Sequence, residues 1–182
     1  MIQITLRARQ PLKDWSFINS YADALGLGER VHDFRADTAD AGVAVKKISS
    51  GVFQSDTPIN AVRYAIRLKL DAVTNPAHVS WLTEKGGVLM MADLLPVEIL
   101  QDPSISAHFE LPDQWHLPSF MASKRASDYV IDDPTNTVVP ISDSMKNRSK
   151  TVNGLRLDVA ICGEWPFSEG KVTEAAAKVL KK

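Results

Sequence analysis

Residues 105–117 read ISAHFELPDQWHL, and this stretch decides how the chain is expected to fold. Ile105, Ala107, Phe109 and Leu111 fall on one side of an extended backbone, with Ser106, His108 and Glu110 on the other. A period of two marks a strand with one buried face. Pro112 has no backbone N–H to donate, so it is expected to end the ladder. Asp113 and Gln114 then turn the chain, and Trp115 returns as a bulky plug for the open end of a core. The pattern belongs to a β-rich domain and carries no chemistry of its own.

The same alternation recurs on both sides of this stretch. Residues 61–70 put Val62, Tyr64, Ile66, Leu68 and Leu70 inward and Arg63, Arg67 and Lys69 toward water, as in an antiparallel sheet with one wet face. Ile2, Ile4, Leu6 and Ala8 alternate with polar residues in a first strand that Pro11 should close, and residues 15–21 read as a second. Residues 30–36 and 43–48 read as two strands of a hairpin turning at Asp40-Ala41-Gly42, with Gly51 and Pro58 punctuating the next loop. The apolar run 88–95 fits a buried strand or a helical turn equally. Residues 118–153 read as loop apart from a short Val138-Val139 strand between Pro134 and Pro140, and 155–161 alternate as a late strand.

The last element differs in kind. Ser168 is an N-cap residue with Glu169 beside the positive helix end. Val172, Ala175, Ala176, Val179 and Leu180 recur at helical spacing as one apolar face running into Lys181-Lys182 with no stop signal. The expected architecture is therefore mainly β: an antiparallel β-sandwich or saddle over residues 1–167, then a C-terminal α-helix over 168–182.

Composition narrows the class of function. The chain has 182 residues, 45% apolar and 24% charged, which is globular. Its net charge of -1 offers no field for nucleic acid, and no apolar run reaches the length of a membrane span. Residues 146–150, KNRSK, form the one basic cluster and read as a solvated loop. The single cysteine, Cys162, sits in an apolar run as a small hydrophobe with a raised thiol pKa. Met1 leads straight into a strand pattern, so any export signal would have to precede this sequence.

No catalytic, cofactor-binding or metal-binding residue emerges. The histidines His32, His78, His108 and His116 include no H-E-x-x-H pair. His108, Glu110 and His116 share a neighbourhood, but polar residues on the outer face of a strand need no ligand role. Gly26-Leu27-Gly28 lacks the third glycine of a phosphate loop, and the serines beside Asn19, Ser80 and Ser168 lack nucleophile-elbow glycines. Asp132-Asp133 beside Pro134 reads as turn chemistry. Trp15, Trp81, Trp115 and Trp165 could build a sugar platform, but their apolar settings favour the core.

Five short pieces carry a resemblance: Ser20-Tyr21-Ala22-Asp23, Ser80-Trp81-Leu82, Ala92-Asp93-Leu94-Leu95-Pro96, Leu111-Pro112-x-x-Trp115 and Gly163-Glu164-Trp165-x-Phe167. In this order they make the chain similar to the N-terminal β domain of the glycyl aminopeptidase family of gluzincin metallopeptidases. The resemblance implies a saddle-like domain preceding a thermolysin-like catalytic domain that holds zinc through H-E-x-x-H and a downstream glutamate. It implies a catalytic domain in cis as partner, and a peptide substrate reached only through the parent protein. None of those zinc ligands has a counterpart here, and the W-x-P-G-x-Y string common near the start of members is absent. The alternative is an independent sandwich module that binds glycan or protein.

Overall fold

The computed structural model describes residues 1–22, 24–37, 42–68, 79–119, 121, 123–125 and 128–180. The fold is mainly β and antiparallel, with a C-terminal helix, as the alternating patterns imply. Its spine is a pair of fifteen-residue strands, β1 (Ile2–Ser16) and β6 (Val52–Ile66).

Pro11 does not close β1. Ile2 faces Ile66 and Arg7 faces Ala61, and the same register returns where Asp14 faces Gln54. In between, Leu12 faces Ile59, so the ladder slips by three residues and slips back. Pro11 lies in the first excursion, on β1, and Pro58 in the second, on β6. A proline cannot donate to a ladder, and a bulge is where a strand tolerates one. Trp15 and Ser16 consequently end β1, and only Ser20–Tyr21 (β2) of the expected second strand is extended, paired with Ala24–Leu25 (β3).

The expected hairpin is also corrected. β4 (Val31–Ala36) and β5 (Val45–Ser49) both pair with β6, β5 along Val52 to Ser55 and β4 along Val62 to Ile66. Since β1 follows one edge of β6, these two strands share the other. Asp40 and Ala41, the proposed turn, lie outside the described residues, as do Lys69, Leu70 and His78. The real tight turn is at Gly51 (φ 69°), between β5 and β6. There Gly28 approaches so closely that a Cβ on it would stand 2.7 Å from the Gly51 backbone.

One large core gathers on the inner face of this sheet. Trp15, Val62, Tyr64, Ile66 and Leu68 are fully buried as the alternation of 61–70 requires, while Arg67 is exposed. Ala61 and Ala65 are buried as well, although on the other face. Their short side chains lie beside longer neighbours, Arg7 opposite Ala61 and Gln3 and His32 opposite Ala65. The centre of the core is aromatic: Phe34 stacks on Phe53 at 4.4 Å and on Tyr64 at 5.6 Å, and Trp15 meets Phe34 at 5.9 Å. The plug is thus Trp15. Trp115 packs against the rim of the core and is only partly buried.

The ambiguous run 88–95 is both of its alternatives in succession. β8 (Gly86–Met90) pairs with β7 (Trp81–Leu82) and β12 (Val138–Ser142), then the chain turns into α1 (Met91–Leu94) and α2 (Val97–Leu100). β12 runs through Pro140, which faces Val88. Leu94, Ile99 and Leu100 from the short helices join Val139 and Ile141 in the same core. Glu98 fastens α2 to the end of β1, accepting from Ser16 N at 3.1 Å and Ser16 Oγ at 2.7 Å.

In the deciding stretch, burial alternates from Ile105 to Leu111 as expected. The hydrogen-bonded strand, β9, covers only Ile105–His108, because its partner β11 (Asp128–Ile131) begins opposite His108. β10 (Ser123–Arg125) completes that sheet.

Residues 118–153 are therefore less loop-rich than composition implies. The basic run 146–150 is not a loop but part of β13 (Lys146–Val152), which pairs along its whole length with β14 (Leu155–Ile161). Helix α3 (Glu169–Val179) packs on this two-stranded sheet, with Ser168 Oγ capping Lys171 N. The face it buries is not the expected one. Thr173 and Ala177 are buried and Val172 and Ala176 half-buried, whereas Ala175 is exposed and Val179 is 73% exposed. Lys181 and Lys182 lie outside the described residues.

Candidate functional site

Ser80 and Asp93 come from two of the five matching pieces, and the fold brings them together. Ser80 Oγ donates to Asp93 Oδ1 at 2.5 Å and accepts from Met90 N at 2.6 Å. Asp93 Oδ2 accepts from Ser80 N at 2.8 Å and from Arg30 Nη1 at 3.1 Å. The Asp93 side chain is only 6% exposed. The serine hydroxyl has spent its one proton on a carboxylate, and among the described residues no histidine stands in the network. This is a buried structural knot tying the turn before β4 to β7 and α1; it is not a nucleophile with its base.

The other chemical candidates remain apart. His108 and Glu110 lie on the exposed face of the deciding stretch, and His116 is held elsewhere by paired backbone bonds with Ser142 at 2.8 and 3.2 Å. Among the described residues, no group of three or more His, Cys, Asp or Glu is placed to hold a metal ion. The zinc, which the resemblance places in a separate catalytic domain, has no fitting ligand set among the described residues. Asp133 makes a turn, accepting from Asn136 N and Nδ2 at 3.2 and 2.8 Å. Gly28 N is occupied by Asn19 Oδ1 at 3.1 Å within a 3-10 turn, as plain turn chemistry requires. Cys162 is half-buried against Met145 Sδ at 3.6 Å, and burial pushes its thiol up. No described helix is long and apolar enough to cross a membrane.

Two surface features were not legible as sites. The first is a cleft of about 360 Å³ beside the turn that follows β9, lined by Phe109, Leu111, Asp113, Trp115, His116 and Tyr129. The sequence reads Phe109 and Trp115 as core and Asp113 as a turn, and Tyr129 arrives from β11, a strand that composition alone reads as loop.

The second lies in the C-terminal unit. Trp165, expected to be core-like, is 58% exposed, and Phe167 is 42% exposed. Their rings stack at 5.3 Å with 27° between planes, and Trp165 Nε1 donates to Cys162 O at 2.9 Å, which fixes the indole. Leu155, Val179 and Leu180 add further exposed apolar surface to the same hairpin and helix. A groove of about 600 Å³, lined by Lys171, Glu174, Ala175 and Lys178, follows the solvent side of α3. No residue beyond Ile141 belongs to the main core. The unit is held by its own contacts, including Lys150 to Glu174 at 2.6 Å and Asn153 Nδ2 to Leu180 O at 3.2 Å.

No protein-family model matches this sequence, and no curated protein matches it. Among solved structures, the fold is similar to that of an aminopeptidase N family protein from Idiomarina loihiensis, with a TM-score of 0.70 and 16% identity. The similarity covers 98% of this chain and 32% of that one, so this chain spans about a third of the longer protein's length.

Proposed function

We propose that this chain is the non-catalytic N-terminal β domain of a zinc aminopeptidase-like protein of the gluzincin type, packing on a catalytic domain in cis and helping to wall its substrate groove. One observation carries the reading: nearly the whole chain shares its fold with one third of an aminopeptidase N family protein. The five matching sequence pieces point the same way, and two of them meet in the Ser80–Asp93 knot. The C-terminal unit supplies the natural contact. A two-stranded sheet is marginal on its own and here has one helix as cover, and the exposed Trp165, Phe167, Leu155 and Val179 are the apolar surface that a neighbouring domain would cover. Zinc and the general base would reside in that partner.

The test compares residues 1–182 with the product of the whole reading frame. The long product should cleave amino-acid anilides, lose activity to a chelator and regain it with zinc, while residues 1–182 do nothing. A reading frame with no H-E-x-x-H, or cleavage by residues 1–182 alone, overturns the proposal. The pinned and exposed Trp165–Phe167 pair also favours one second reading, an independent glycan-binding module, because a rigid aromatic face suits a sugar ring. Glycan-array binding abolished by Trp165→Ala would establish that reading instead.

A further inference from the structure

We propose that the cleft beside β9 binds an organic ammonium group, a role independent of any partner domain. Three aromatic residues line it from three parts of the chain. Phe109 and Tyr129 meet edge to face with ring centroids 5.6 Å apart, and Trp115 lines the same cleft. The wall is built in: Trp115 N donates to Pro112 O at 2.8 Å to close the turn, and the two backbone bonds between His116 and Ser142 anchor its far end. Asp113 stands at the apex of the turn, exposed and without an ion-pair partner among the described residues. Among the described residues, no lysine or arginine lines the cleft.

The chemistry selects the ligand class. Aromatic faces carry negative quadrupole potential and attract cations, and a carboxylate at the mouth adds a full negative charge. A metal ion would find only Asp113 and His116 as donors, short of the set such ions need. A purely apolar ligand would desolvate that carboxylate with nothing in return. An ammonium with small alkyl substituents meets both demands, and the cleft of about 360 Å³ accommodates one.

The test is a 15N–1H NMR titration of the chain with tetramethylammonium chloride, n-butylammonium chloride and the neutral isostere 3,3-dimethylbutan-1-ol. Either cation or both should shift the resonances of Phe109, Trp115 and Tyr129 saturably, and the pair distinguishes a methylated from a primary ammonium. The neutral alcohol should bind on the order of tenfold more weakly. Asp113→Asn, an exposed turn substitution, should weaken cation binding by roughly tenfold with the rest of the spectrum intact. Trp115→Phe should retain part of the binding and Trp115→Ala should abolish it. No saturable shift up to about 100 mM, or equal affinity for the alcohol, or indifference to Asp113→Asn overturns the proposal.

Discussion

Arg30 Nη1 lies 3.1 Å from Asp93 Oδ2, with only 17% and 6% of the two side chains exposed. The pair costs desolvation to form, but removing one partner leaves the other charge buried. Asp93→Ala also strips Ser80 Oγ and Ser80 N of their acceptor. It is expected to destabilise the chain by about 3–5 kcal/mol in urea melts. Arg30→Met, which leaves Asp93 bonded to Ser80, should cost less. Equal losses for the two variants would show that the serine bonds contribute nothing.

Trp15→Ala should cost about 3–5 kcal/mol, since the ring is fully buried among Phe34 and its neighbours. Trp115→Ala should cost clearly less, about 1–2 kcal/mol, because that residue is only partly buried at the edge of the core. Parallel urea melts of the two variants rank them. The reverse order would restore Trp115 as the plug.

That exchange of tryptophans marks what the sequence made legible. Alternation at 61–68 and 105–111 identifies the inward residues correctly, because side-chain direction is fixed by the strand backbone alone. Pairing is a relation between distant segments. Nothing local announces that Pro11 and Pro58 sit in compensating slips of one ladder, so β1 was cut short and Trp15 was assigned to the next strand. The same holds for β13. Its KNRSK run is polar enough to read as loop, and becomes a strand only because the alternating 155–161 segment pairs with it. The helix was found but rotated: the buried residues Thr173 and Ala177 are small and one is polar, so an apolar stripe pointed past them. The cleft is not legible locally, because Tyr129 joins Phe109, Asp113 and Trp115 only through the pairing of β11 with β9.

Tyr64 gives a pH test. Its hydroxyl is buried, donates to Leu94 O at 2.9 Å, and burial raises its pKa above the ordinary phenol value. A folded-state pKa above the unfolded one means that the neutral phenol's contribution is complete below about pH 10 and is lost as pH rises beyond it. Wild-type stability should therefore fall by up to about 1.4 kcal/mol per pH unit more steeply than that of Tyr64→Phe above about pH 10. Parallel alkaline slopes would show that Tyr64 is not the titrating group.

Helix α3 provides the test of the partner domain. An eleven-residue helix is marginal in water unless packing holds it, and here the packing is one two-stranded sheet contacted chiefly through Thr173 and Ala177. Its Ala175 and Val179 face solvent, and the exposed Trp165–Phe167 stack directly precedes its N-cap. Hydrogen exchange of residues 1–182 should thus be faster across α3 than across β6, which lies between strands on both edges. In the product of the whole reading frame the helix should slow by about tenfold or more, equivalent to at least about 1.4 kcal/mol of added local stability. Trp165→Ser and Phe167→Ser should leave the melt of residues 1–182 nearly unchanged, within about 0.5 kcal/mol, because exposed rings contribute little to the fold. In the longer product the same changes should return the helix to fast exchange. A helix already protected to the level of β6 in residues 1–182 would mean that the hairpin and helix complete themselves, and the exposed aromatic pair would then have to be explained by a ligand instead of a domain.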